Sequence, residues 1–445
     1  MAEEIKKDQA QPGQQNYETR SIKRLDSART ASAYQKAWFQ TLKPRVEAGE
    51  DFALLGADAP MEIFRAMDIP FVVYQWWTAI CGAKQLGPKY YGYIKYAGYR
   101  DDICSYCSTA FACALDPHPE EGPWGGLPNP TILISQSECA VMGKIENLMA
   151  EAFPNAEQYT MHRYYEPVYF DKWFDKAGEH WDMLSTPERR EFNKRELLDL
   201  IKFLEQKTGK TFDMNKLREV MDYVNEQDYW YKKTRDLIAE TKPAPAVISD
   251  TVNAVMQAQW QRGTKWAAEH AKGLYEEVKE RVDTNNPAVP NERIRLMWIG
   301  RGLWFNLAFY NYFEEKYGAA FIWSMYLGLA ADAYARNNYE SDPLAALGTR
   351  FSMITDFLHT PPFNTEWFLK EAIHNQVDGV VLLTSENCMN NGDFYYEMVK
   401  NLEDNGFPVC MLRADPGDAK KWNQETMTAA VEDLIVNRIE PKLKK

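Results

Sequence analysis

The residues of this chain best suited to chemistry are its cysteines. The stretch Asp102-Ile-Cys-Ser-Tyr-Cys-Ser-Thr-Ala-Phe-Ala-Cys113 holds three of the seven. Two more, Cys139 and Cys388, each stand four residues beyond an apolar run that reads as a strand, Thr131–Ser135 and Asp378–Thr384. In open parallel sheets, ligands bind outside the carboxyl ends of the strands. Cys139 and Cys388 therefore belong at a functional edge, on two different α/β units. Cys104 lies in a loop after a helix, between strands, where it is able to face the same cleft. Thiolates are the ordinary ligands of iron–sulfur clusters. The spacing points to Cys104, Cys139 and Cys388 converging on one cluster in the crevice between two domains. The plainer alternatives are buried thiols that act as small core hydrophobes and a zinc site.

The remaining candidates divide by context. Cys113, beside Phe111 and Ala112, and Cys410, inside an apolar run, read as core. Cys81, in Ala79-Ile-Cys-Gly-Ala83, reads as helical core with a fourth-ligand role as its alternative. Cys107, three residues from Cys104, is ambiguous. No tight Cys-x-x-Cys pair recurs elsewhere, which weighs against zinc. No Gly-x-x-x-x-Gly-Lys-Ser/Thr is present, so the chain is not a P-loop ATPase. Gly300-Arg-Gly302 follows a strand and reads first as a tight turn, second as a phosphate cradle. His359, in Leu358-His-Thr-Pro-Pro362, is a candidate proton donor. His162 and His374 read as surface residues.

The elements that must position these residues follow from apolar periodicity. A polar segment over residues 1–30 has the character of a mobile or partner-bound arm, with a helix from Ala31 to about Ala48. Short strands at Ala53–Ala57, Pro70–Tyr74 and Thr131–Ser135 alternate with helices over 59–67, 78–97 (broken at Gly87-Pro88) and 140–152. From about Tyr165 strand signals vanish, and helical tracts run to Val282, interrupted at Pro243-Ala-Pro245. Strands return at Arg293–Ile299, Ala320–Trp323, Asp378–Thr384 and Pro408–Leu412, with helices over 304–317, 361–377 and 393–405. Strands alternating with helices define a parallel, doubly wound arrangement. The expected architecture is α/β. It comprises an N-terminal helical arm (1–52), a first Rossmann-like α/β domain (53–165), a mostly helical insertion (166–285) and a second α/β domain (286–445). The two α/β halves are candidate structural duplicates.

Composition narrows the class. The 445 residues carry a net charge of -13, and an acidic chain repels phosphate backbones, so no nucleic-acid partner is expected. No apolar run reaches the roughly 18 residues a membrane span needs, and the first residues lack a secretory apolar core. A cytoplasmic protein with reduced thiols is expected, because an odd cysteine count without an export signal argues against a disulfide framework. Aromatic residues make up 13%, with 14 Trp and 25 Tyr, which suits deep apolar clefts or broad interfaces as well as thick cores.

Several segments together resemble the family of 2-hydroxyacyl-CoA dehydratase and benzoyl-CoA reductase subunits. They are Ala59-Pro-Met-Glu-Ile-Phe-Arg-Ala-Met67, Ile103-Cys-Ser-Tyr106, Ser135-Gln-Ser-Glu-Cys139, Arg293-Ile-Arg-Leu through Gly300, Asp378-Gly-Val-Val with Glu-Asn-Cys388, and Asn405-Gly-Phe-Pro-Val. Each is loose alone; their order and spacing are specific. The resemblance implies a [4Fe-4S] cluster on Cys104, Cys139 and Cys388. It implies a homologous cluster-binding partner subunit, with an acyl-CoA thioester between the two. It also implies a separate ATP-hydrolysing iron–sulfur activator that delivers single low-potential electrons. The length and aromatic content look closest to the larger cluster-binding subunit of ATP-dependent benzoyl-CoA reductase, an oxidoreductase acting on an aromatic acyl-CoA. The alternatives are a 2-hydroxyacyl-CoA dehydratase subunit, a lyase working through a ketyl radical, and a noncatalytic electron-transfer subunit. From a different class comes a metal-free α/β binding protein. The segment 166–285 matches least.

Overall fold

The computed structural model describes residues 18–444 except 101–102, 137–138, 165–167, 352–356, 358–360 and 386–393. Two four-stranded sheets organise it. The first contains β1 (Ala53–Leu55), β2 (Phe71–Val73), β3 (Ile132–Ser135) and β4 (Glu157–Thr160), in the order β2-β1-β3-β4. The second contains β5 (Ile294–Ile299), β6 (Ala319–Ser324), β7 (Gly379–Thr384) and β8 (Val409–Arg413), in the order β6-β5-β7-β8. Every pairing is parallel. The two orders are the same when β1–β4 are matched to β5–β8, so each sheet has one switch point, between β1 and β3 and between β5 and β7. The fold is the expected α/β class with two doubly wound sheets.

Burial of both faces explains why these strands read as continuous apolar runs. On the second sheet Leu296, Trp298, Phe321, Val381, Leu383 and Leu412 join a core that continues into the first sheet through Leu54, Val72 and Leu133. The alternate residues Met297, Ile299, Ile322, Val380 and Leu382 pack with Tyr231, Ile238 and Val255 of the helical segment. The segment 166–285 supplies helices Pro187–Thr208, Met214–Glu240, Ile248–Trp260 and Lys265–Asp283. Leu200 and Leu204 enter the first core and Tyr231 and Ile238 the second, so this segment braces both sheets. A buried ion cluster ties it down: Glu62, on helix Met61–Ala66, accepts from Arg262 Nε at 3.0 Å and from Arg350. All three side chains are at most 2% exposed.

Several elements differ from the sequence reading. The first helix begins at Asp26 rather than Ala31. Residues 18–25, expected as part of a mobile or partner-bound arm, are instead held on the helical segment and the second half. Ile22 N–H donates to Asn311 Oδ1 at 3.0 Å, Arg24 N–H to Asp250 Oδ1 at 2.7 Å, and the Arg24 guanidinium to Glu314 at 2.5 Å. The polar sequence concealed charged anchors that only tertiary partners reveal. Edge strand β4 was missed because its residues, with at most intermediate burial, form no apolar run. Helix Phe309–Tyr317 starts five residues after Trp304, whose segment turns back onto the first half. Helices Met325–Asp332 and Pro343–Phe351 were not anticipated.

Candidate functional site

The cysteine stretch forms helix Ser105–Ala114, with Cys104 as the residue at its N-cap. Cys104 itself stands in the loop between two helices, as the sequence reading placed it, and the small side chains at Ser105, Ser108, Ala110 and Ala112 let the helix that follows pack closely on its neighbours. That helix start is completed from the other half of the molecule. Asp415, two residues past β8, is 2% exposed and accepts from the Ser105 backbone N–H at 3.4 Å and from its hydroxyl. The same carboxylate accepts from the backbone N–H groups of Gly417 and Asp418, each at 2.9 Å. Gly417 has to be glycine here, since a Cβ would lie 2.7 Å from Ser105 Oγ. Nearby, Gln85 donates to Phe305 O at 2.7 Å. The carboxyl edges of the two sheets therefore meet across the Cys104 helix.

Cys139 is the N-cap of helix Ala140–Ala152, and its sulfur accepts from Met142 N–H at 3.3 Å. The turn before it is anchored by buried Glu146, which accepts from Gln136 N–H at 3.3 Å and from the Tyr74 hydroxyl at 3.1 Å. The two cysteine-capped helices pack on each other. Helix N-termini carry partial positive charge and favour anions. Two such ends thus present Cys104 and Cys139, one buried and one half-buried.

Cys107 and Arg301 complete the cluster of groups. Cys107, one turn into its helix, donates its S–H to Cys104, which holds the Cys104 thiol below its ordinary range while pushing Cys107 well above its own. Burial opposes the ionisation of Cys104; the Arg301 guanidinium favours it, and the Asp415 carboxylate disfavours it. Cys107 also feels the charge of Cys139. Arg301 comes from the turn after β5 and lies 5.0 Å above the Tyr106 ring. The turn is tight, as expected: Gly300 has φ +111, and a Cβ there would lie 2.6 Å from Leu383 O. Gly302 N–H donates to the Tyr326 hydroxyl at 3.3 Å. The result is a largely buried group of three neighbouring thiols, two helix N-termini and one cation. Those groups fit a thiolate-bound, anionic guest.

The other cysteines lie elsewhere. Cys113 receives Trp77 Nε1–H at 3.3 Å and interacts with Cys81, both in the core. Cys113 is nine residues along the helix from Cys104, roughly 13 Å at the helical rise, so this pair cannot share a ligand with Cys104. Cys410 is buried in β8, and burial pushes its thiol up to about 11. Cys388 and His359 lie outside the described residues. Among the described residues no group of three or more His, Cys, Asp or Glu side chains is arranged to hold a metal ion. His374 pairs with Asp236 at 3.0 Å and His162 with Glu196 at 3.3 Å. Arg301 and Asp415 were not read as site residues. Each stands just past the carboxyl end of a strand, the same signal that selected Cys139.

These features define a two-lobed α/β protein with thiols near the carboxyl edges of two like parallel sheets. A model of the family described as 2-hydroxyglutaryl-CoA dehydratase, D-component, matches residues 57–435, and the chain belongs to that family. It is 23% identical over 403 residues to the (R)-phenyllactyl-CoA dehydratase alpha subunit of Clostridium sporogenes, covering 87% of this chain and 89% of that one. It is 22% identical over 380 residues to the (R)-2-hydroxyisocaproyl-CoA dehydratase alpha subunit of Clostridioides difficile, covering 84% and 87%. No helix among the described residues is long and apolar enough to cross a membrane.

Proposed function

We propose that this chain is the alpha-type subunit of a 2-hydroxyacyl-CoA dehydratase. The two relatives are named as dehydratase subunits, which favours the lyase over the benzoyl-CoA reductase expected from length and aromatic content. The observation that supports the reading is that Cys104 and Cys139 each cap one of two helices that pack on each other, with Arg301 acting on Cys104. With Cys388 they would hold a [4Fe-4S] cluster, which supplies one-electron chemistry when bound. The chain's own residues have three tasks. The helix ends and Arg301 offset the negative charge of the thiolates. The walls built by Tyr106, Tyr326 and Trp304 exclude water. Asp415 fixes the start of the Cys104 helix.

The partners in this reading are a homologous subunit and a separate ATP-hydrolysing activator. The test is turnover of the anaerobically purified chain with both partners. Release of water from a 2-hydroxyacyl-CoA, with benzoyl-CoA left unreduced, is the expected outcome. Dearomatisation of benzoyl-CoA without dehydration would overturn the proposal.

A further inference from the structure

Cys104 and Cys107 form a Cys-x-x-Cys pair across the first turn of a ten-residue helix. The turn is closed by Cys107 N–H donating to Cys104 O at 3.3 Å. The two thiols are already hydrogen-bonded to each other. Residues three apart on a helix face each other at about 5–6 Å between Cβ atoms, and a disulfide brings the Cβ atoms to about 3.5–4.5 Å, so closure asks for a shift of about one to two ångströms at the first turn. Both residues are buried, at 5% and 7% exposure, so only a small oxidant reaches them. Cys104 stands at the N-cap of the helix, and Cys107 lies one turn in. This is the layout of an attacking and a resolving cysteine.

We propose that, in the cluster-free chain, Cys104 and Cys107 are a peroxide-responsive dithiol that closes into a reversible disulfide. Cys104 Sγ attacks hydrogen peroxide, the O–O bond breaks, and the sulfur becomes a sulfenic acid as one water leaves. Cys107 Sγ then attacks that sulfur, the S–S bond forms, and the hydroxyl leaves as a second water. Two thiols are oxidised by two electrons, and one peroxide is reduced to two waters. The disulfide removes Cys104 as a ligand, so oxidised chain cannot accept a cluster until a dithiol reduces it. That consequence rests on the proposed cluster site; the bond itself does not. The reaction spares Cys104 the irreversible steps beyond sulfenic acid.

The test treats metal-free full-length chain with one equivalent of hydrogen peroxide under anaerobic conditions, then alkylates, digests and reads the peptides by mass spectrometry. The expected result is a Cys104–Cys107 disulfide as the main product, reopened by dithiothreitol. In Cys107→Ser, and equally in Cys107→Ala, Cys104 should be trapped by a sulfenic-acid reagent instead. A main product of Cys104 joined to Cys139, or of Cys104 sulfinic acid with Cys107 still alkylated, would overturn the proposal. Iron uptake before and after dithiothreitol is measured separately. Oxidised chain that takes up iron as readily as reduced chain would overturn the gating consequence. Failure of reduced chain to take up any iron would instead count against the proposed cluster, leaving the peptide result to decide the disulfide.

Discussion

Glu62→Gln keeps the shape of the buried carboxyl and removes its charge. Burial alone would raise the Glu62 carboxyl, but Arg350 and Arg262 outweigh it and hold the group at about 2, against 4.5 in the unfolded chain. A difference of that size is worth about 3 kcal/mol of folding stability at neutral pH. Because the folded carboxyl titrates lower than the unfolded one, this stability is complete above about pH 5.5 and is lost as pH falls through 4.5 toward 2. An unfolding entropy of about 2.1 cal/mol/K per residue over the whole chain gives about 0.9 kcal/mol/K, so the variant should melt about 3–4 °C lower at pH 7. At pH 3 the gap should shrink to less than half. Glu62→Ala, which also leaves Arg262 Nε without its acceptor, should cost more, about 3–5 kcal/mol. Circular dichroism melts of wild type and variant at pH 7 and pH 3 decide the matter. Glu62→Gln melting within about 1 °C of wild type at pH 7, or a gap that persists unchanged at pH 3, would refute the assignment of this stability to the Arg262–Glu62–Arg350 cluster.

Two further outcomes follow from the site. Cys139→Ser and Cys388→Ser should each lose iron from anaerobically purified chain or leave it labile, while Cys410→Ser, in the core of β8, should keep wild-type iron; equal iron in all three variants contradicts the ligand set. Gly300→Ala should cost about 1–3 kcal/mol, because it combines a φ of +111 with a Cβ 2.6 Å from Leu383 O, whereas Gly406→Ala, at φ +90 with open space around it, should cost about 1 kcal/mol; equal melting shifts would show that the close approach to Leu383 is not what fixes the glycine.

Seven of the eight strands were legible because apolar residues dominate each of them and most of their positions are buried. β4 was invisible for the converse reason: Glu157–Thr160 is a partly exposed edge that pairs by backbone with β3 and carries no apolar signature. Helix boundaries were legible where local chemistry marks them. The helix after Cys139 was placed correctly at Ala140–Ala152, and the break at Gly87-Pro88 does separate two helices. The start of the Cys104 helix was not legible, because the carboxylate that holds it, Asp415, is 310 residues from Ser105 in sequence. The docking of residues 18–25 was hidden likewise, since Arg24 finds Asp250 and Glu314 only in the folded chain. Local signals report periodicity; they do not report which distant carboxylate meets which helix end.

The repeated strand order gives the site its logic. A single doubly wound sheet offers one crevice, at its switch point, and groups from one set of loops. Here two such sheets bring their carboxyl edges together, so the loops after β5 and β8 lie against a helix that precedes β3. Cys104 is held from both sides: its own helix supplies the Cys107 donor, and the other half supplies Arg301 and Asp415. Arg301 and Asp415 act on Cys104 in opposite directions, the guanidinium favouring its ionisation and the carboxylate disfavouring it. Glu62, on the helix after β1, accepts from Arg350, which lies in the second half. The site belongs to the junction, and neither half carries it alone.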